Sequence, residues 1–166
     1  MDPYDQRPGE IRLPFDPANT AVDAAVVFIG RIRTAWKTRP DCPKNIAQAR
    51  ERNQPATLEL DHTWRQGLQG LKQQDHIIVL YWMQQARRDL IVQRPRHRTD
   101  ATGVYALRSP ARPNPIALAT VRVLSIDQSL GTIVVDAMDC LDGTPLLDIK
   151  PWIGTVDLPP DRNPIT

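Results

Sequence analysis

Cysteine is scarce in this 166-residue sequence, and its two cysteines, Cys42 and Cys140, form no Cys-x-x-Cys pattern. Neither a zinc knuckle nor a disulfide framework is therefore expected. No apolar run approaches the ~18 residues of a membrane helix. The opening MDPYDQRPGE lacks the apolar core of a signal peptide. These absences favour a reduced, cytoplasmic setting and no contact with a membrane.

Several catalytic patterns are also missing. The sequence holds no G-x-G-x-x-G, which disfavours a Rossmann nucleotide fold, and no G-x-S-x-G nucleophile elbow. His62, His76 and His97 lack metal-ligand spacing, so no metal is expected. Cys140 remains open as a nucleophile, although nothing in the sequence favours it. The net charge of +2 is too small to indicate nucleic-acid binding by itself.

Proline, in contrast, is abundant, with sixteen prolines against eight glycines. This balance argues against an all-helical protein and favours short strands joined by loops. Residues 1–20 hold four prolines and four acidic residues, which predicts a weakly ordered N-terminal arm. Residues 21–166 are then expected to form a single domain of ordinary size.

Alternating and apolar runs predict a mainly β fold with about seven strands and one or two short helices. The predicted strands are residues 24–34, 56–60, 76–83, 104–109, 118–126, 130–138 and 146–150. Short helices are expected over residues 45–52 and, capped by Asp61, over residues 62–71. Residues 118–126 and 130–138 are expected to pair as a hairpin. Short connections predict an antiparallel sheet, which as a small closed barrel would have no unpaired edges.

Residues 103–117, GVYALRSPARPNPIA, form the most unusual stretch. Its three prolines fix φ and lack a backbone donor, so a stiff loop is expected after the strand. Four polar side chains are expected to project from it, namely Arg108, Ser109, Arg112 and Asn114. Such a loop suits recognition of an anion or a planar polar ligand. A proline-rich connector with solvated arginines is the alternative.

Positive charge is concentrated between Gln84 and Arg112, where seven arginines stand against two acids. This asymmetry is typical of a phosphate-binding surface, so contact with tRNA or another phosphate is predicted. The candidate contacts are Arg87, Arg88, Arg94, Arg96 and Arg98. A solvated loop is the alternative interpretation.

Two further groups of polar residues lie at the ends of predicted strands, where binding residues often gather. Four carboxylates occur within DAMDCLDGTPLLD, residues 136–148, and Asp142 among them suits a turn because glycine follows it. Gln84 and Gln85 directly follow the apolar strand HIIVLYWM and could bind a polar ligand edge. Solvation of strand ends explains both groups equally well.

The motifs RSPARPNPI, residues 108–116, and LDGTPLLDIKPW, residues 141–152, resemble the signature of the TsaA-like family. The resemblance extends over residues 27–152, with VFIGRIRT at its start. It implies a small antiparallel β-barrel that forms homodimers. It also implies methylation of N6 of threonylcarbamoyladenosine beside the tRNA anticodon, with S-adenosylmethionine as the cofactor. The family pattern differs at Gln84, Ala117 and Trp152, where histidine, glycine and tyrosine are common.

The resemblance also implies a cofactor site by position. Its candidate residues are Ile46, Ala47, Gln48, Gln84, Gln85, Arg108, Leu118, Asp136, Ala137, Met138 and Asp139. Asp139 is the candidate general base, because a ureido N–H is a poor nucleophile. Arg112 is expected to orient carboxylate or phosphate groups. Two alternatives stay open: a non-catalytic barrel that binds RNA or a nucleotide, and a methyltransferase for another small substrate.

Overall fold

The structure, a computed structural model, describes residues 6–20, 23–95 and 98–159. These residues fall in two compact units. The proline-loop unit consists of the described residues of Met1–Val26 and Trp82–Ala117, and the sheet unit of those of Val27–Tyr81 and Leu118–Thr166. Strands predominate, so the mainly β prediction is confirmed. No helix in the described ranges is both long and apolar enough to cross a membrane.

The strands of the described residues are numbered in chain order. They are β1 (Ile11–Arg12), β2 (Gly30–Arg33), β3 (Ala56–Leu60), β4 (His76–Trp82), β5 (Leu90–Gln93), β6 (Thr102–Gly103), β7 (Ile116–Asp127), β8 (Thr132–Val135) and β9 (Thr144–Pro151). The predicted strands over residues 56–60, 76–83 and 118–126 are confirmed as β3, β4 and β7, and every end agrees to within two residues. The last predicted strand is longer than expected and forms β9.

The sheet unit is built on six antiparallel strands in the order β2-β3-β8-β7-β4-β9, and β9 pairs with both β2 and β4. Alternate residues of these strands are buried, with Ile32, Leu58, Val79 and Ile133 fully inaccessible to solvent. The hairpin of β7 and β8 is confirmed. Its turn includes Gly131 at φ +72°, a left-handed conformation that glycine adopts without steric cost.

Short helices connect the strands. The predicted helix over residues 45–52 is confirmed as α1 (Ile46–Glu51). The predicted helix over residues 62–71 is found only in part: His62–Leu68 form a 3-10 helix. The predicted cap is wrong, because Asp61 makes no side-chain hydrogen bond to the helix. Gly70 stands at φ +91°, outside the helical region, which explains why an α-helix does not continue there. A last short helix, α2, covers Gly154–Asp157.

The predicted strand over residues 24–34 is much shorter in the structure, where only β2 is formed. Val27 and Phe28 are exposed to 64% and 42% although both are apolar. Pairing explains this end point. Gly30 faces Leu60, the last residue of β3, and β9 pairs with β4 from Leu146 onward. The ladders on both sides of β2 therefore end near Gly30.

The proline-loop unit contains the three-stranded sheet β1-β5-β6. β5 is not among the predicted strands. The predicted strand over residues 104–109 is wrong, because β6 ends at Gly103 opposite Val92 and Val104–Ala106 form a 3-10 helix. Tyr105 is 83% exposed there. Residues 11–12 of the predicted arm pair with β5. The domain boundary at residue 20 stays a prediction.

Candidate functional site

The backbone that follows β8, residues 136–140, is called the site segment. Three consecutive carbonyls of this segment accept hydrogen bonds from side chains of the loop after β2. The donors are Trp36 Nε1 to Met138 O (2.9 Å), Cys42 Sγ to Asp139 O (3.4 Å) and Thr34 Oγ1 to Cys140 O (3.0 Å). These side chains supply the hydrogen bonds that a partner strand would otherwise give to the backbone carbonyls. The segment thus keeps a fixed course outside the sheet.

The side chain of Asp139 is held from another direction. The Tyr81 hydroxyl donates to Asp139 Oδ1 over 2.7 Å. Tyr81 lies in β4 and is 3% exposed, whereas Asp139 is only half-buried. Ala137 and Met138 beside it are fully buried. One carboxylate oxygen is therefore fixed by a buried donor at a place that solvent and ligands can reach.

Asp136 has a different environment from Asp139. Its Oδ2 pairs with Arg50 Nε at 2.9 Å, and its Oδ1 accepts from the Arg122 backbone N–H at 2.8 Å. Arg50 also donates to Thr120 O over 2.7 Å. Both carboxylate oxygens of Asp136 thus join α1, β7 and the site segment. This arrangement gives Asp136 a structural task in addition to its predicted cofactor contact, which stays a prediction.

Both cysteines lie at this segment, and both thiols resist ionisation. Burial raises the pKa of Cys42 to about 11, with a further contribution from the charge of Asp139. Burial also raises the pKa of the Cys140 thiol, which is fully inaccessible. Neutral thiols are weak nucleophiles. The structure therefore gives no support to a nucleophilic role for Cys140.

Asp142 ties the loop after β2 to the turn before β9. Its Oδ1 accepts from the Thr34 backbone N–H at 3.1 Å, and its Oδ2 pairs with Lys37 Nζ at 2.8 Å. The Lys37 ammonium is the main cause that lowers the pKa of this carboxyl. Gly143 follows at φ +77°, a left-handed position in the turn. The predicted turn role of Asp142 is confirmed.

The residues expected to bind cofactor at α1 occupy its first turn. Asn45 caps the helix by accepting from the Gln48 backbone N–H at 2.9 Å. The Gln48 side chain reaches back and accepts from the Lys44 N–H at 2.9 Å. This reciprocal capping sets the start of the helix. Ala47 is exposed, while Ile46 is half-buried.

In the proline-loop unit, Arg112 does not project from the loop as expected. Its guanidinium folds back and donates to Ser109 O at 2.9 Å, to Val104 O at 3.0 Å and to Leu107 O. Backbone carbonyls without a strand partner need another hydrogen-bond donor, such as water or a side chain. Arg112 provides that donor for these three carbonyls. Its predicted catalytic role stays a prediction.

The remaining candidate residues are exposed. Gln84, Gln85 and Arg108 belong to the proline-loop unit, and Leu118 belongs to the sheet unit with 39% exposure. Within the sheet unit the structure groups Asp136–Asp139 with Tyr81, Trp36 and Cys42. The sequence alone does not distinguish these last three residues, because each offers only a polar atom on an otherwise apolar side chain at a strand or loop position.

Part of the predicted phosphate-binding surface supports the fold of the proline-loop unit. Arg87 forms a bidentate pair with the buried Asp89, with both N–O distances 2.8 Å. Arg88 donates to Pro113 O over 2.5 Å and lies 5.5 Å from the centre of the Trp82 ring. Arg98 is exposed, and Arg96 lies outside the described residues. In the described ranges no three acidic, histidine or cysteine side chains are grouped as metal ligands.

Comparison with known sequences decides the family. The model of the tRNA-methyltransferase O N-terminal domain matches residues 31–158. The chain belongs to this family. The resemblance to TsaA-like proteins is thereby confirmed, and the match includes β2, α1, the site segment and the proline loop. The family residues thus extend through both units of the structure.

Individual relatives agree with this result. A probable S-adenosyl-L-methionine-binding protein VirR of Rhizobium radiobacter is 42% identical over 129 residues, which are 78% of this chain and 71% of VirR. The tRNA (adenine(37)-N6)-methyltransferase of Rattus norvegicus is 35% identical over 102 residues, which are 60% of this chain but 23% of the rat protein.

Solved structures show the same relation. TrmO from Pseudomonas aeruginosa matches with a TM-score of 0.65 and 30% identity, covering 87% of this chain and 63% of TrmO. A second TrmO crystal structure matches with a TM-score of 0.67 and 32% identity, again covering 87% of this chain and 65% of the other. The chain therefore spans a little less than two thirds of these TrmO chains.

Proposed function

We propose that this protein is an S-adenosylmethionine-dependent methyltransferase that methylates N6 of threonylcarbamoyladenosine beside the tRNA anticodon. The observation that carries the proposal is the family match over residues 31–158. Its choice of acceptor is supported by the relative named as a tRNA (adenine(37)-N6)-methyltransferase. The cofactor is supported by relatives named as S-adenosyl-L-methionine-binding proteins.

The donor set of the described residues suits this cofactor. S-adenosylmethionine carries a carboxylate, an ammonium, ribose hydroxyls and an adenine, and it supplies an electrophilic methyl group when bound. Arg108 is an exposed guanidinium suited to the carboxylate. Asp139 offers a half-buried carboxylate for a cation or a hydroxyl, and it stands next to the buried, apolar Met138. Gln84 and Gln85 can accept and donate hydrogen bonds.

Asp139 is the proposed general base. A ureido N–H is a poor nucleophile, so a carboxylate that takes its proton while the new N–C bond forms would assist the reaction. The other groups bind and orient, which can supply roughly 7–11 kcal/mol of the barrier. Arg112 contributes by holding the proline loop, and any direct contact with substrate phosphate or carboxylate is part of the proposal.

The test is mass analysis of tRNA nucleosides. Unmethylated tRNA that contains threonylcarbamoyladenosine is incubated with the protein and S-adenosylmethionine. The tRNA is then digested, and its nucleosides are analysed by mass spectrometry. We expect a gain of one methyl group on this nucleoside and none in a reaction that lacks the cofactor. In a strain that lacks the gene for this protein, the methylated nucleoside should be absent from tRNA. Unchanged tRNA in both experiments would contradict the acceptor.

A methyltransferase for another small acceptor is the second candidate. It is favoured by relatives whose names state cofactor binding without an acceptor, VirR among them. Calorimetry separates this candidate from the third, a barrel that holds RNA or a nucleotide without turnover. Cofactor binding without tRNA methylation would favour the second candidate, whereas tRNA binding without cofactor binding would favour the third.

The barrel and the dimer belong to the same proposal. Closure of the six-stranded sheet is supported by its strand order, in which β9 pairs on one side with β2 and on the other with β4. Dimer formation is supported by exposed apolar residues of the sheet unit: Val27, Phe28, Trp152, Ile153, Val156 and Leu158. The strand HIIVLYW gives no such support, because its apolar side chains are buried or half-buried.

We expect light scattering at micromolar concentration to report twice the mass of 18.7 kDa. A two-fold symmetric dimer is the commonest closed assembly. Val156→Ser should favour the monomer, because Val156 is 74% exposed and contributes apolar surface. Lys72→Ser is the exposed control outside this group. A monomer at all concentrations would contradict the proposal. The cytoplasmic setting stays a prediction.

A further inference from the structure

We propose that Tyr81 is a positioning residue for methyl transfer, because its hydroxyl orients the Asp139 carboxylate. This inference rests on the proposed role of Asp139 as the base. Tyr81 itself is buried within β4 and is 3% exposed, so it acts through Asp139 and not on the substrate.

The hydrogen bond is strong in its geometry. The O–O distance between the Tyr81 hydroxyl and Asp139 Oδ1 is 2.7 Å, within the range of charge-assisted bonds. A buried phenol also needs a partner, so leaving the bond unmade would cost free energy. The bond therefore selects one orientation of the carboxylate.

The backbone of Asp139 is fixed independently of its side chain. Cys42 Sγ donates to Asp139 O, and the carbonyls before and after it accept from Trp36 and Thr34. The residue is thus held at its main chain by the loop after β2 and at its carboxylate by β4. With both ends fixed, Oδ2 has one direction, as a base that must meet a single N–H requires.

The experiment compares Tyr81→Phe with the wild type in two measurements. Calorimetry gives S-adenosylmethionine binding, and methylation of threonylcarbamoyladenosine-containing tRNA gives kcat and KM. Tyr105→Phe is the matched control, since Tyr105 is 83% exposed. Asp139→Asn removes the carboxylate that Tyr81 orients, and the double variant Tyr81→Phe with Asp139→Asn shows whether the two residues act together.

We expect kcat of Tyr81→Phe to fall about tenfold while KM for tRNA changes less than twofold, because orientation affects the transition state. Adding Tyr81→Phe to Asp139→Asn should cause little further loss of kcat, because the carboxylate that Tyr81 orients is then absent. Tyr105→Phe should change neither kcat nor KM. An unchanged kcat in Tyr81→Phe, or a full tenfold further loss in the double variant, would overturn the inference.

Two further results keep the inference separate from folding and from the proposed function. If Tyr81→Phe fails to fold, proton NMR of the Tyr81 hydroxyl is compared in wild type and Asp139→Ala. The inference then requires a downfield hydroxyl resonance in the wild type that moves upfield when the carboxylate is removed, and no change overturns it. A wild type that binds no S-adenosylmethionine contradicts the proposed function, whereas this resonance still decides whether Tyr81 binds Asp139.

Discussion

Two arginines of the proline loop show why residue type does not determine the role of a side chain. Arg112 donates to three loop carbonyls and is half-buried, whereas Arg108 is exposed. The sequence presents both in one motif, RSPAR, and predicts the same projection for each. Backbone carbonyls without a strand partner need donors, and only the folded loop shows that Arg112 supplies them.

Arg108→Ala tests the cofactor contact at the residue scale. We expect S-adenosylmethionine binding to weaken by about 1.5–3 kcal/mol, the range of hydrogen bonds to charged groups. Calorimetry measures the change directly. Arg98→Ala removes another exposed arginine of the proline-loop unit and should leave cofactor binding unchanged. Equal affinities for wild type and Arg108→Ala would remove Arg108 from the site.

The pairing of β1 with β5 depends on a buried carboxylate. Asp89 is 5% exposed and is held by Arg87, and it also pairs with Arg12 Nε of β1 at 2.6 Å. The Leu13 N–H donates to Asp89 O over 2.7 Å. The hydrogen bond from Arg87 is the main cause that lowers the pKa of Asp89.

A lowered pKa makes the stability of this unit depend on pH. The contribution of the ionised Asp89 is present above its unfolded pKa of about 3.9 and is lost as pH falls through its lower folded value. Denaturant titrations between about pH 2 and pH 7 should show this loss in wild type and a flatter curve in Asp89→Asn. At pH 7 the variant should be less stable by about 1.5–3 kcal/mol. Asp100→Asn, at an exposed position, should behave as wild type.

Gly30 marks the point where β2 meets both of its neighbours. A Cβ at this position would lie 1.9 Å from Glu59 O and 2.9 Å from the Leu60 Cα, both backbone atoms. Gly30→Ala must therefore push β3 away, and we expect the free energy of unfolding to fall by at least about 1–3 kcal/mol. Urea denaturation measures it. Gly67→Ala is the control, because no atom lies within 4 Å of its added Cβ. Equal losses in the two variants would contradict this account of β2.

At the scale of elements, the sequence predicts best where local pattern and partner agree. β3 alternates buried and half-buried side chains as its sequence ATLEL does, and it has a partner on each side. Residues 24–28 are equally apolar but form no strand, which a local pattern cannot reveal. The Tyr81–Asp139 bond joins residues 58 positions apart. The motif identified Asp139, and only the fold supplies its donor.

At the scale of the whole molecule, positive charge has two roles that the sequence does not distinguish. The described residues divide into two units, and the arginine-rich stretch lies in the proline-loop unit. Arg87 and Arg88 stabilise that unit through Asp89, Pro113 and Trp82. Replacing them would test folding and RNA contact together. The remaining candidates are better placed for a test of tRNA binding.

Arg94 and Arg98 allow that test because replacement by alanine keeps the hydrogen bonds of their backbone N–H groups. The Arg94 N–H donates to Glu10 Oε1 over 2.9 Å, and the Arg98 N–H donates to Pro95 O over 3.0 Å. If their side chains neutralise phosphates, tRNA binding releases counterions, and affinity falls with salt at roughly −0.7 to −0.9 per contact. Replacing both by alanine should flatten the slope by up to about 1.4–1.8, with cofactor binding unchanged.

Lys72→Ala with Lys150→Ala is the control, since it removes two exposed charges outside the stretch. We expect the control to keep the wild-type slope, because long-range charge is screened at physiological salt. Equal flattening in both double variants would indicate general attraction by net charge. A wild-type affinity that does not change with salt would contradict phosphate contact altogether. The small-acceptor methyltransferase would then become the better-supported candidate, because its substrate needs no phosphate-binding surface.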